Sequence, residues 1–236
     1  GAVLVGLSAA FYGAHYLVFS DAHHIFIYLV GDIAFVPLEV LLVALILHRL
    51  LEWREKRSML GKLNMVIGAF FSEVGTELLG RLSEFSAETQ AIGEKLRLAG
   101  KWTRRDFLAA RRELAAGEQR MDGKRGDLPG LRSFLSERRA FLLRLLENPN
   151  LLEHEGFTEM LWAVFHMTEE LVHRRDLAAL GENDLLHLAG DLRRAYAALV
   201  GEWLSYMAHL REDYPYLFSL AVRTNPFDPE ARPEVA

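Results

Sequence analysis

Two long apolar runs open the chain, and a short polar segment, SDAHH at residues 20–24, separates them. Residues 1–20 contain no Asp, Glu, Lys or Arg, and the second run extends from Ile25 to Leu51. Twenty residues of α-helix measure about 30 Å, the thickness of the hydrocarbon core of a bilayer. Pro37 is expected to kink the second helix, because proline removes a backbone hydrogen bond. The pattern predicts a two-helix transmembrane hairpin at residues 1–52.

A cleaved signal peptide and a buried helix pair of a soluble protein are the two alternative interpretations of these runs. A signal peptide has a basic start, a shorter apolar centre and a small-residue cleavage site. No such combination precedes Ser20, and a second apolar run follows at once. Two span-length runs joined by a short polar loop favour the membrane hairpin over the soluble helix pair.

From residue 58 onward, apolar positions recur with helical spacing and no strand pattern is evident. One helix is predicted to begin after Thr103 and end at Gly117, and another to end at Gly181. The clearest break is MDGKRGDLPG at residues 121–130, which is rich in glycine and charge. These features predict a helical bundle of about five or six helices.

The predicted fold class is therefore all-α, with a transmembrane hairpin followed by a cytoplasmic helical bundle in a homo-oligomer. The predicted divisions are a hairpin at residues 1–52, a bundle at 53–224 and a loose C-terminal tail at 225–236.

Charge is distributed unevenly along the chain. The first 48 residues contain no Lys or Arg, and all 27 basic residues lie from Arg49 onward. Because cytoplasmic flanks of membrane helices are enriched in basic residues, the bulk of the chain is predicted to be cytoplasmic, in a multi-pass protein of the cell inner membrane. The net charge of −5 argues against nucleic acid as a partner. The absence of cysteine excludes disulfides and thiolate metal ligands.

Two acids lie inside the second apolar run. Asp32 and Glu39 are seven positions apart, which places them on one helix face. An acid facing lipid costs about 2.5–3.5 kcal/mol on insertion scales. Both acids are therefore predicted to face the interior of an oligomer, as an ion pathway, a proton site or an assembly device. The alternative for Asp32 is hydration near the outer interface. Asp21, His23 and His24 are predicted at the outer mouth, where the alternatives are metal binding, pH sensing or simple solvation.

The first run also carries small residues at every fourth position. They are Ala2, Gly6, Ala10 and Ala14. Small residues at this spacing let a second helix approach closely, which predicts helix packing within an assembly. The alternative is that Gly and Ala are simply common in membrane helices.

One segment of the predicted bundle contains metal-ligand spacings. Its candidate ligands are Glu159, His166, Glu170 and His173, and Glu-x-x-His at 170–173 is half of a di-metal carboxylate pattern. Asp184 and His187 repeat that spacing. A turn of about 100° per residue puts the four candidates opposite the predicted core stripe. A solvated or subunit-contact face is therefore favoured over a metal site.

No phosphate-binding loop, nucleophile elbow or His-Glu-x-x-His motif is found, so the chain is not predicted to be an enzyme. The leading hypothesis is a homo-oligomeric membrane protein with a channel-like or ion-conducting role, assembled or gated by its bundle. Its partners are the lipid bilayer and other copies of the chain, and no cofactor is predicted. The second hypothesis is a non-conducting membrane-anchored sensor or scaffold whose bundle binds a cytoplasmic protein. The third is a membrane-bound di-metal carboxylate oxidoreductase, which requires a metal ion.

Overall fold

The computed structural model describes residues 1–86, 89–117, 119–149, 151 and 154–234. Among these residues the secondary structure is helical, apart from an isolated antiparallel bridge between Ser86 and Met121. The predicted all-α fold class is confirmed. The chain divides into two compact units, called here the N-terminal unit, Gly1–Ser58, and the helical domain, Met59–Ala236.

Two helices, joined by a tight turn, make up the N-terminal unit. Helix α1 covers Ala2–Phe19, and helix α2 covers Ala22–Phe70, so that the last part of α2 belongs to the helical domain. Ser20 ends α1 in the left-handed conformation, with a φ of 50°. Both helices are long and apolar enough to cross a membrane, and none of the side chains in these two apolar stretches is buried.

The helical domain continues from the end of α2 through a π-helical segment, Phe71–Gly75. The elements that follow are α3 (Thr76–Ser83), α4 (Thr89–Arg97), a 3₁₀ turn (Leu98–Lys101), α5 (Arg104–Ala116), α6 (Leu128–Leu146), α7 (Glu155–His173), α8 (Glu182–Asp213) and α9 (Pro215–Arg223).

Helix α8 is the central element of the helical domain. It packs against α3, α5, α7 and α9, while α7 also packs against α6. Its inward side chains recur every three or four positions, as expected for a helix that buries one face. They include Leu188, Leu192, Ala195, Leu199 and Trp203. The long contact between α7 and α8 brings the polar residues at its edge close together.

The prediction for α5 is confirmed in detail. Thr103 caps the helix, its backbone N–H donates to Asp106 Oδ2 over 2.7 Å, and Gly117 ends the helix. Thr103 and Asp106 form a capping box, in which each side chain accepts from the backbone N–H of the other residue. These N–H groups have no partner within the helix. The predicted break at residues 121–130 also holds, because these residues form turns until α6 begins at Leu128.

Two boundaries differ from the predictions. Helix α7 ends at His173 rather than Gly181, because Arg174 is extended and the loop after it buries Leu177 in the core. The tail predicted to be loose from residue 225 is held at its start. Asn225 Nδ2 donates to the Leu96 carbonyl over 3.0 Å, and the Phe227 ring packs on Trp203. Residues 235 and 236 lie outside the described residues.

Candidate functional site

A groove with several polar side chains lies between α1 and α2 in the N-terminal unit. Its volume is about 500 Å³, and it is called here the interhelix groove. Its lining residues are Ser8, Phe11, Tyr12, His15, His24, Ile25, Tyr28 and Asp32. The Tyr12 hydroxyl donates a hydrogen bond to Asp32 Oδ2 over 3.4 Å. One of the two acids in the apolar run therefore has a polar partner within its own chain.

Three aromatic rings follow one another along the interhelix groove. The His15 and His24 rings stack with centroids 5.9 Å apart, and the Tyr28 ring meets His24 edge-on at 4.7 Å. His15 Nδ1 is buried and has no hydrogen-bond partner in the part of the chain that the structure describes. The groove thus joins His15 to His24, a pairing that the sequence prediction did not make.

The three residues predicted at the outer mouth have different environments. Asp21 Oδ1 accepts a hydrogen bond from the His24 backbone N–H over 3.1 Å, so Asp21 caps the start of α2. His23 is exposed and does not line the interhelix groove. The structure therefore brings only His24 of this set into the groove.

Glu39 contrasts with Asp32. Its side chain is exposed, and it forms no hydrogen bond or ion pair with any described residue. The neighbouring Leu38 and Val40 are exposed as well. Glu39 is therefore a carboxylate on an apolar surface that nothing in its own chain covers.

The four small residues of α1 are all exposed. Ala10 lies two positions from both Ser8 and Tyr12, which line the interhelix groove. Two positions correspond to a rotation of about 200°, so the small residues lie on the side of α1 opposite the groove. A β-carbon added at Gly6 would meet no atom within 4 Å. This side of α1 is open within the N-terminal unit.

The four residues considered as metal ligands in the helical domain do not form one cluster. Glu159 is exposed, and His173 is exposed with its Nδ1 2.8 Å from the Glu169 carbonyl. His166 and Glu170 instead lie at the edge of α8, close to Asp191. The face predicted to be a solvated or subunit-contact surface is exposed at Glu159, His166 and His173 and partly buried at Glu170.

Glu170 on α7 and Glu202 on α8 have shifted pKa values. Arg174 donates to Glu170 Oε2 over 2.6 Å, and this hydrogen bond holds the pKa of the Glu170 carboxyl below its ordinary value. Burial raises the pKa of Glu202, which lies on α8 near Arg111 and His154. Glu170 is therefore ionised at neutral pH, whereas Glu202 holds its proton more tightly than an exposed glutamate.

Comparison with known proteins finds one family that covers most of the chain. The model "MJ1433, N-terminal helical domain" matches residues 1–51, and "Uncharacterized protein MJ1433, C-terminal helical domain" matches residues 59–223. The chain belongs to the MJ1433 family. The two family regions meet between residues 51 and 59, where the structure divides into its two units.

A relative that matches over most of its length supports this assignment. "Uncharacterized protein MJ1433" of Methanocaldococcus jannaschii is 44% identical over 225 residues, which cover 95% of this chain and 90% of the relative. No solved structure matches the chain. The family match therefore supports the two-part helical organisation of the chain.

Proposed function

We propose that this member of the MJ1433 family is an integral membrane protein that self-associates through its N-terminal unit and has a channel-like, ion-conducting role. Helices α1 and α2 cross the bilayer, and Glu39 faces the interior of the assembly. The helical domain lies in the cytoplasm and assembles or gates the membrane part.

The exposed apolar surface of the N-terminal unit supports the membrane location. In water, each unburied leucine or valine would forfeit the roughly 1.5–3 kcal/mol that full burial of such a side chain provides. The two apolar stretches, Ala2–Phe19 and Ala22–Glu55, have no buried residues. A core helix of a soluble protein would instead be largely covered. A bilayer satisfies this surface without a protein partner.

Glu39 is the observation that carries the proposal of self-association. A charged residue at the centre of a lipid-facing helix costs about 2.5–3.5 kcal/mol on insertion scales. Asp32 avoids part of this cost through Tyr12, but Glu39 has no such partner among the described residues. Contact between copies of the chain would remove Glu39 from lipid. Rings of acidic side chains are a common way to favour cations in a pore.

The open side of α1 supports the same assembly. Its small residues are exposed and lie opposite the interhelix groove, so a helix of another copy can approach there. The concentration of basic residues after Arg49 supports a cytoplasmic helical domain.

Ion flux into vesicles tests the proposed role. The full chain is reconstituted into liposomes, and K⁺ and Cl⁻ fluxes are measured with entrapped indicators. We expect the parent protein to conduct K⁺ in preference to Cl⁻. Glu39→Gln removes the negative charge at nearly constant size, and it should lower both the K⁺ flux and the preference for K⁺.

Glu55→Gln is the matched control, because Glu55 is an exposed glutamate on α2 that lies after Leu51, among the charged residues at the end of this stretch. It should leave the flux unchanged. Equal fluxes in Glu39→Gln and the parent would contradict a pathway at Glu39. No flux from the correctly inserted parent protein would contradict the channel-like role and favour a membrane-anchored sensor or scaffold.

A further inference from the structure

Four side chains that are typical metal ligands meet at the edge of the contact between α7 and α8. His166 and Glu170 are four positions apart on α7, and His187 and Asp191 are four positions apart on α8. Residues four apart project from the same side of a helix. Each helix therefore presents one imidazole and one carboxylate at the same place, and this set is called here the α7–α8 cluster.

The ligand atoms of His166, Glu170 and Asp191 are close enough to share one ion, and His187 lies beside the two carboxylates. His166 Nε2 lies 3.5 Å from Asp191 Oδ1 and 3.9 Å from Glu170 Oε1. His187 Nε2 lies 3.3 Å from Asp191 Oδ2 and 3.5 Å from Glu170 Oε2. Ligands bonded at about 2.0–2.2 Å to one ion stand about 3–4 Å apart. These separations match that range without movement of either helix.

Asp191 provides a second, independent observation that favours an ion at the α7–α8 cluster. It is only 3% exposed, and its Oδ2 accepts no hydrogen bond from the described residues. A buried carboxylate oxygen that accepts no hydrogen bond is costly unless a positive charge lies beside it, because it has lost its contact with water. That oxygen faces the His187 ring nitrogen. A cation at this position would satisfy Asp191.

We propose that the α7–α8 cluster binds one divalent transition-metal ion, with His166, Glu170 and Asp191 as ligands and His187 completing the set. Imidazole nitrogens together with carboxylate oxygens suit zinc, iron, manganese or cobalt, whereas magnesium and calcium prefer oxygen alone. The site lies wholly within the helical domain, so it does not depend on the proposed membrane role.

Two arginines offer the competing explanation that the cluster is only an ion-pair network. Arg194 Nη1 lies 3.1 Å from Asp191 Oδ1, but its side chain is 63% exposed. Exposed ion pairs contribute about 0–1 kcal/mol, so Arg194 can release Asp191 at little cost. Arg174 is bound more firmly, to Glu170 Oε2 and to Asp184. It can remain in place while Glu170 Oε1 binds the ion, because such outer partners orient metal ligands.

Solvent reaches the α7–α8 cluster from one side. The side chains of His166 and His187 are 49% and 55% exposed, whereas Asp191 is enclosed. An ion held here therefore keeps an open coordination position for water or a small ligand. This differs from a structural zinc site, in which protein ligands fill the coordination sphere.

Cobalt titration tests the site. The full chain is purified in detergent without a polyhistidine tag, stripped with a chelator and titrated with Co²⁺. Visible absorption is recorded together with the metal content after equilibrium dialysis. We expect one Co²⁺ per chain with d–d absorption bands, displacement by Zn²⁺, and no competition from Mg²⁺.

Variants show whether the ion binds at the α7–α8 cluster or at other histidines of the chain. Asp191→Asn and His166→Ala should each weaken Co²⁺ binding more than the loss of a residue that only hydrogen-bonds to a metal ligand, which typically costs about 10–100-fold. His173→Ala is the matched control, because His173 lies on α7 with a side chain that is 76% exposed and pairs with Glu169. His24→Ala tests the interhelix groove. Both controls should bind Co²⁺ like the parent.

Circular dichroism confirms that each variant is folded. Because His166 is exposed and Asp191 is buried, His166→Ala is expected to disturb the fold less than Asp191→Asn. Absence of stoichiometric binding to the parent would overturn the proposal. Binding that survives both Asp191→Asn and His166→Ala, or that is lost in His24→Ala, would also overturn it, because the ion would then lie elsewhere.

Discussion

Glu202 is a carboxylate enclosed by the helical domain, at 3% exposure. Its Oε1 lies 3.3 Å from Arg111 Nη2, and its Oε2 lies 3.9 Å from His154 Nδ1. His154 Nδ1 already accepts the Phe157 backbone N–H, so this nitrogen carries no proton for Glu202. Burial is the main reason that the pKa of Glu202 is raised. The carboxylate is therefore poorly compensated when it is ionised.

The raised pKa of Glu202 predicts a pH-dependent stability difference. A group whose pKa is higher in the folded state stabilises the fold at low pH, and this contribution is lost as the pH rises through the folded pKa. Relative to the parent, Glu202→Gln should therefore gain stability as the pH rises from about 4.5 towards neutrality, by up to about 1.4 kcal/mol per pH unit. Thermal unfolding followed by circular dichroism from pH 4 to 8 measures this difference.

Glu182→Gln is the control for this measurement, because Glu182 lies on the same helix and is exposed. It should show no such rise. A constant difference between Glu202→Gln and the parent at every pH would show that Glu202 titrates like an exposed glutamate.

Some members of the α7–α8 cluster could be identified from the sequence, but their proximity in the fold could not be predicted. His166 and Glu170 were candidates because of their spacing on one predicted helix. Asp191 was not singled out, because a lone Asp on an amphipathic helix has the same pattern as a surface residue. Its burial arises from the way α7 packs on α8. The hydrophobic periodicity of one helix does not show which residues of a neighbouring helix pack against it.

The π-helical segment Phe71–Gly75 controls packing at the start of the helical domain. The Phe70 ring packs edge-on against Phe71 and Phe157, with centroids 5.3 Å apart in each case. A β-carbon at Gly75 would lie 2.6 Å from Phe71 Cδ1 and 2.7 Å from Phe70 Cε1. Both rings are fully buried and have no room to retreat. Gly75 therefore allows the two rings to fill the core.

Gly75→Ala is expected to destabilise the helical domain by about 1–3 kcal/mol, as overpacking of a core commonly does. Gly80→Ala is the matched control on the adjoining helix, since nothing lies within 4 Å of its added β-carbon. It should stabilise the helix by up to about 1 kcal/mol, because alanine is the better helix former. Thermal unfolding midpoints test both, and equal midpoints would contradict a packing role for Gly75.

Some elements followed from local chemistry and others did not. The Thr103 cap and the Gly117 end were predictable because the interacting groups are within a few residues of each other. The early end of α7 was not, because it depends on burying Leu177 against distant parts of the core. The π-helical segment was also missed, since it differs from an α-helix by one wider turn that leaves the apolar spacing almost unchanged.

For the whole molecule, the proposed self-association predicts that the open side of α1 is sensitive to size. Ala10→Leu places a large side chain on the stripe of small residues, so it should prevent close approach of a second copy. The assembly should then dissociate at detergent concentrations at which the parent remains associated. Size-exclusion chromatography with light scattering measures the change.

Ala44→Leu is the control, because Ala44 is an exposed alanine in the apolar part of α2 and so does not belong to the stripe of α1. It should leave the assembly intact. If Ala10→Leu and the parent associate equally, the contact between copies lies on another surface, and the stripe of α1 is only a consequence of its composition.

The two-part organisation of the chain was predictable because it depends on bulk properties. Uninterrupted apolar length and the absence of basic residues before Arg49 distinguish the N-terminal unit. The internal arrangement of that unit was less accessible. The contact of Tyr12 with Asp32 joins residues on two helices, and the sequence therefore did not show that Asp32, unlike Glu39, has a hydrogen-bond partner in its own chain.

The anchoring of residues 225–227 has a practical consequence for anyone shortening this protein for crystallisation. Cutting after residue 224 would strip the Trp203 indole of its Phe227 neighbour and deprive the Leu96 carbonyl of its Asn225 donor. An exposed indole face promotes aggregation at high protein concentration. Trimming should therefore spare the Asn-Pro-Phe tripeptide, and an epitope label is better attached beyond it.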